Sequence, residues 1–158
     1  MDALDFLFEA VKNSLEAGAG TVSVRVEMDD GQVHVTCTDD GAWEPDVDHF
    51  ARGGSSKGDG RGQGLYLLAR LDRDAALVRA GDRTVLTYSF PRRLMGDGSQ
   101  VYPFLFSMCR SRGAHLVLDA GGRVLTDDDM VSMFGDLETA GGISGMKRFI
   151  ASSIDSEQ

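Results

Sequence analysis

Glu9-Ala10-Val11-Lys12-Asn13-Ser14-Leu15-Glu16-Ala17-Gly18-Ala19 forms the second half of an amphipathic helix and carries most of its polar side. Leu4, Leu7, Phe8, Val11 and Leu15 recur at helical spacing, so residues 2 to 17 are expected to be a helix that buries this stripe. Gly18 and Gly20 end it. Away from the stripe, Glu9 and Asn13 are four residues apart and therefore neighbours, with Glu16 close by. A side-chain amide oxygen is a good ligand for Mg²⁺, and a carboxylate beside it could orient a hydrolytic water. The plain alternative is the wet face of an amphipathic helix, and these residues alone do not separate the two.

Beyond the helix, Val22, Val24, Val26 and Met28 alternate with polar residues, as do Val33, Val35 and Cys37. Two strands are expected, at 21–28 and 32–38, joined by a hairpin turn at Asp29-Asp30-Gly31. The same triplet returns at Asp39-Asp40-Gly41, but there no second alternating strand follows. Asp39 could then present a carboxylate at a strand end, suited to accept from an exocyclic amine, while Gly41 lets a ligand approach the backbone.

Residues 42 to 62 keep no period and are rich in glycine, which predicts a long loop. Within it, Ser55-Ser56-Lys57-Gly58-Asp59-Gly60-Arg61-Gly62-Gln63-Gly64-Leu65 runs into a helix start. Such a junction exposes backbone N–H groups that favour anions, and Lys57 and Arg61 add positive charge. It has neither the spacing of a P-loop nor that of a Rossmann turn, and a flexible linker is the competing reading. A short helix is expected over 65–71, then strands at 75–80 and 84–90 joined through Gly81-Asp82, with Pro91 closing the last. The remainder reads as a helix (100–111), a strand (115–119) and two helices (127–137 and 144–154).

This order predicts an α+β fold, a two-layer sandwich with a mostly antiparallel sheet and helices on one face, plus a small C-terminal extension. One domain of ordinary size accounts for 158 residues, divided here into a module at 1–92 and an extension at 93–158. Apolar residues at 42% and charged residues at 26% are a globular balance. The net charge of −9 makes nucleic acid and anionic membranes poor partners for the surface as a whole. Cys37 and Cys109 lack CxxC spacing, so buried thiols are expected rather than a metal or redox pair. No apolar run is long enough to cross a bilayer and no signal peptide is evident, which makes a cytoplasmic protein the expectation.

Taken in order, these segments resemble the motifs of GHKL ATPases, the Bergerat-fold family of gyrase-like topoisomerases, MutL mismatch-repair proteins and histidine kinases. Glu9 to Ala19 is similar to the N box, Asp39-Asp40-Gly41 to the G1 box, Ser56-Lys57 to the lid, and Gly62-Gln63-Gly64-Leu65 to the G2 box. Thr84 and Pro91 match the final strand, so the resemblance covers residues 1 to about 92. It implies ATP and Mg²⁺ as ligands. Asn13 would hold the metal, and Glu9 would match the water-activating carboxylate. Asp39 would take the adenine amino group, with Gly41 and Thr84 nearby, and Lys57 with the backbone of Gly62, Gly64 and Leu65 would enclose the phosphates. One departure stands out: the family usually reads Asp-x-Gly-x-Gly, and Trp43 takes the last position.

A histidine kinase complete in itself would need a phosphoacceptor histidine on a helix ahead of this module, and His34, His49 and His115 do not supply it. Residues 93–158 are too few for the transducer domain of gyrase or MutL subunits. The chain is more similar to small stand-alone bacterial members with a short C-terminal extension. The implied function is a Mg²⁺-ATP-dependent ATPase, or a regulatory kinase acting on a separate, unidentified protein partner, with homodimerisation open. The alternative is a non-catalytic interaction module that keeps the fold without productive nucleotide binding.

Overall fold

Strict alternation along the strands and an apolar stripe on each long helix create one buried layer between a sheet and the helices that cover it. The computed structural model describes residues 1–42 and 74–154. Residues 43–73 lie outside it, and with them the expected glycine-rich loop, the short helix at 65–71, Trp43 and His49.

Helix α1 (Ala3–Glu16) starts at Asp2, whose carboxylate accepts from the Asp5 amide in a reciprocal capping box. It buries Leu4, Phe6, Leu7, Val11 and Leu15 and ends before Gly18, which takes φ +81°. Strands β1 (Thr21–Met28) and β2 (Gln32–Asp39) form the expected hairpin. Strands β3 (Ala76–Ala80) and β4 (Arg83–Pro91) form a second, and β4 pairs antiparallel with β2.

A single 3₁₀ turn (Arg92–Leu94) leads to α2 (Gly98–Ser111), then to β5 (His115–Ala120), β6 (Arg123–Thr126), α3 (Asp127–Phe134) and α4 (Ala140–Ser153). The described sheet has six strands in the order β3-β4-β2-β1-β5-β6. Among the described strands, the β1–β5 ladder alone is parallel. The segment after residue 92 therefore extends the same sheet by two strands and supplies three of the helices that pack over it.

Val22, Val24, Val35, Leu86, Leu116 and Leu118 project from the strands into one core. Phe6 meets Phe90 edge-on at 5.5 Å between ring centroids, and the Tyr88 hydroxyl donates to the Ala3 carbonyl at 2.6 Å. This contact fixes α1 across β4 and sets the helix over the end of β2. Of the apolar residues in the extension, Leu105, Phe106 and Met130 are fully buried, while Phe104 and Met133 remain exposed.

Four details differ from the expectations. Phe8, expected in the buried stripe of α1, is 37% exposed, and Phe6 is buried in its place. Strand β6 was not anticipated, because in four residues after Gly121-Gly122 the pattern is too short to register. Helix α3 ends at Phe134 rather than 137, where Gly135 turns the chain at φ +75°. Helix α4 begins at Ala140 rather than 144, since the Thr139 hydroxyl caps it by accepting from the Gly142 amide at 3.0 Å. Among the described residues, no helix is long and apolar enough to cross a membrane.

Candidate functional site

The C-terminal half of α1 and the end of β2 meet at Ser14 and Asp39. Ser14 occupies a core position of the helix stripe, and its hydroxyl lies 3.0 Å from the Ala10 carbonyl and 2.6 Å from Oδ2 of Asp39. A hydroxyl has one proton, and the shorter contact to a charged acceptor takes it. The other carboxylate oxygen, Oδ1, accepts from the Gly41 amide at 2.8 Å. Asp39 is only 3% exposed, and these two donors offset part of the cost of burying it. Each oxygen has a second lone pair to offer.

The two Asp-Asp-Gly triplets share a local bond and differ in everything around it. Oδ1 of Asp29 accepts from Gly31 and Gln32 in an ordinary turn, and Oδ2 meets His34 Nε2 at 2.9 Å on an exposed surface. The His34 hydrogen bond, helped by the two amides, lowers the Asp29 carboxyl to about 2. At the second triplet, Asp40 turns back and accepts from the Gly20 and Thr21 amides at 2.8 and 3.0 Å, pinning the start of β1. The Thr21 amide is the main reason its carboxyl sits below the usual range. Asp39 is thereby left as the one acid of the triplet directed into the interior.

Gly41 is buried against the end of α1, and the following Ala42 amide donates to the Ala17 carbonyl at 3.0 Å. A Cβ at position 41 would stand 3.1 Å from both the Ala17 Cβ and Asp39 Oδ1, so glycine permits this close approach. Thr84 is directly opposite Asp39 in the β2–β4 ladder and is 2% exposed. Opposed residues of an antiparallel pair share a face, so acid and hydroxyl point to the same side. Arg79, opposite Thr84 on β3, donates from Nη1 to Thr84 Oγ1 and to the Gly41 carbonyl, each at 2.9 Å.

Glu9 and Asn13 are half-buried at the border of the apolar stripe, one turn apart. The Nδ2 atom of Asn13 is fully buried and has no hydrogen-bond partner among the described residues. Which end of an amide carries oxygen is assigned from its partners, and here one end has none. A buried amide nitrogen in that condition is a hydrogen-bond donor open to a bound ligand, whereas Mg²⁺ would take the oxygen at the other end of the amide. Thus Asn13, Ser14, Asp39, Gly41 and Thr84 are placed on adjoining elements, with Glu9 one turn along. Lys57, Gly62, Gly64 and Leu65 lie outside the described residues.

Two contributors were not foreseen. A serine at a stripe position, 14, signals a need for an internal partner. Arg79 alternates with Leu77 on the inward side of β3, and a charge there is a similar signal.

The two cysteines and one acid–histidine cluster have structural roles. Cys37 and Cys109 are buried, and burial above all pushes both thiols up to about 12. His115, Asp127 and Asp128 bring potential metal ligands together. Asp127 Oδ2, however, already accepts from Arg110 at 2.9 Å and meets His115 Nδ1 at 3.1 Å, while Oδ1 accepts from the Leu116 amide. A guanidinium in that position opposes a cation, and the acid serves to tie α3 to β5 and α2.

The family model described as the histidine kinase-like ATPase domain matches residues 7–90, more than half of the chain. No curated protein and no solved structure matches it. The matched span includes Glu9, Asn13, Asp39, Gly41 and Thr84, and the chain belongs to the histidine kinase-like ATPase domain family, an ATP-binding superfamily.

Proposed function

We propose that the chain binds ATP with Mg²⁺ and uses it either as a slow ATPase or as a regulatory kinase acting on a separate protein. The observation that carries this reading is the buried Asp39 carboxylate, held by Ser14 and Gly41 with lone pairs to spare, opposite Thr84 and tied through Ser14 to the helix that carries Asn13. Asp39 accepts from the adenine amino group. Asn13 holds the metal, which when bound neutralises phosphate charge. Glu9 accepts a proton from the attacking hydroxyl, whether of water or of a protein side chain. Lys57 and the backbone of Gly62, Gly64 and Leu65 enclose the phosphates by the family resemblance.

Phosphate release and phosphotransfer test the assignment. Glu9→Gln is expected to keep nucleotide binding and reduce turnover by about a hundredfold or more. Asn13→Ala is expected to abolish Mg²⁺-dependent turnover, and turnover that survives it counts against the proposal. Trp43, in the place of the second G1 glycine, favours a second reading as a non-catalytic interaction module. That reading predicts no thermal shift with ATP, and a shift of several degrees at millimolar Mg²⁺-ATP would remove it.

A further inference from the structure

Helices α3 and α4 bound a groove of about 650 Å³ in the C-terminal part of the molecule. Phe134 and Phe149 line it, their rings meeting edge-on at 6.0 Å between centroids. Phe134 packs so closely on α4 that a Cβ at Gly145 would stand 2.6 Å from its ring. Met133 lines the same groove and is 47% exposed, although it is a large apolar side chain. An apolar surface of this kind is left open at a cost unless something covers it.

Along α4 the lining residues Gly141, Gly145 and Arg148 are spaced by four and then three, the spacing by which one helix faces another. Gly141 has open space where its side chain would be, so a second backbone can come close there. The charges beside the groove are unanswered. Lys147 is engaged over the Phe104 ring at 5.0 Å, whereas Arg148 makes no ion pair or hydrogen bond among the described residues, in a chain of net charge −9. The exposed carboxylate of Glu138, just ahead of the Thr139 cap of α4, makes none either.

Whatever covers this groove must bring an apolar side chain, an acid for Arg148 and a base for Glu138. The surface of the protein itself carries all three, symmetrically placed. A point level with Ile143 is midway between Gly141 and Gly145 in sequence and equally midway between Glu138 and Arg148. Two-fold rotation about an axis at that level runs a second α4 antiparallel to the first. It sets Gly141 against Gly145 and brings each Arg148 toward the other copy's Glu138, as a self-complementary interface requires.

We infer that this groove is the interface of a homodimer: two copies pair their α4 helices antiparallel, each lays Met133 on the other's Phe134 and Phe149, and an Arg148–Glu138 ion pair closes either end. The inference does not depend on the nucleotide reading.

Sedimentation velocity on the full chain tests it, with the wild type, Arg148→Glu, Glu138→Arg, the double charge swap and Met133→Asp. The wild type is expected to pass from monomer to dimer in roughly the micromolar range, as suits a small interface. Arg148→Glu and Glu138→Arg should each raise the dissociation constant by about tenfold or more, because each sets like charges together at both ends. The double swap should return it to within about threefold of the wild type. Met133→Asp should weaken the dimer by about tenfold or more, since it puts a charge against the apolar rings. These side chains are exposed, and far-UV circular dichroism should show all five proteins equally folded.

A wild type that stays monomeric to about 0.5 mM overturns the inference. So does a dimer that tolerates either single charge reversal, or a double swap no tighter than the single reversals, since the two charges then do not face each other. Should Met133→Asp not fold, the charge swap decides alone.

Discussion

The Ser14 hydroxyl stands 2.6 Å from Oδ2 of Asp39, joining a core position of the first helix to the acid at the end of the second strand. The helix that carries Asn13 and the strand that carries Asp39 are thereby locked at a fixed distance. Ser14→Ala takes away a donor from a buried carboxylate, which costs about 1–3 kcal/mol. Urea denaturation should show that loss, and ATP affinity should fall several-fold because Asp39 is no longer held. Unchanged stability and affinity would mean that the contact is incidental.

Asn13→Ala should separate function from stability. The substitution removes a buried amide end that makes no hydrogen bond among the described residues, and it places a better helix former in the interior of α1. Stability should hold or rise by about 0.5 kcal/mol while Mg²⁺-dependent nucleotide binding disappears. A large destabilisation would show that the amide serves the fold instead.

Asp127 sets an acid limit on the C-terminal part of the sheet. Burial pushes its carboxyl upward, but Arg110, the Leu116 amide and His115 outweigh burial and hold it below the ordinary carboxylate range. A folded-state pKa below the unfolded value gives stability that is fully present above about pH 3.9 and is lost as pH falls through the folded pKa. Thermal melts across this range should show that decline. Asp127→Asn should be less stable at neutral pH and should decline less steeply in acid. An identical acid slope in the two proteins would contradict the assignment.

Cys37 and Cys109 should behave as core residues. With thiols pushed up to about 12 and both side chains buried, neither should react with an aromatic disulfide reagent at pH 8 in the native protein. Both should react once the chain is unfolded in guanidinium. Rapid native labelling would show that one of them is open to solvent.

The fold was legible where one rule acted over enough residues. Val22, Val24 and Val26, or Leu86, Tyr88 and Phe90, alternate long enough to declare a strand, and α1 has four turns of stripe. Strand β6 was not legible because Arg123–Thr126 gains its strand geometry from pairing with β5 rather than from its own pattern. The early start of α4 was hidden by Gly141 and Gly142, poor helix formers locally. Position 142 must be glycine because a Cβ there would collide with the Asp136 carbonyl.

The candidate site divides in the same way. Glu9 and Asn13 lie on one helix and could be paired from spacing alone. The opposition of Asp39 and Thr84 depends on the register between β2 and β4, and Arg79 reaches both Thr84 and Gly41 only through the further register of β3. Long-range pairing of this kind leaves no local periodicity to read. Only the resemblance in motif order connected Asp39 with Thr84, and it gave no role to Arg79.

Calorimetric titration with a non-hydrolysable ATP analogue, with and without Mg²⁺, tests most directly whether Asn13 and Asp39 form a working nucleotide site. The expected result is micromolar binding that weakens by about tenfold or more when Mg²⁺ is withdrawn and is lost in Asp39→Asn. An absence of heat at every reachable concentration would contradict it and would mean that the fold has been kept for interaction with another protein.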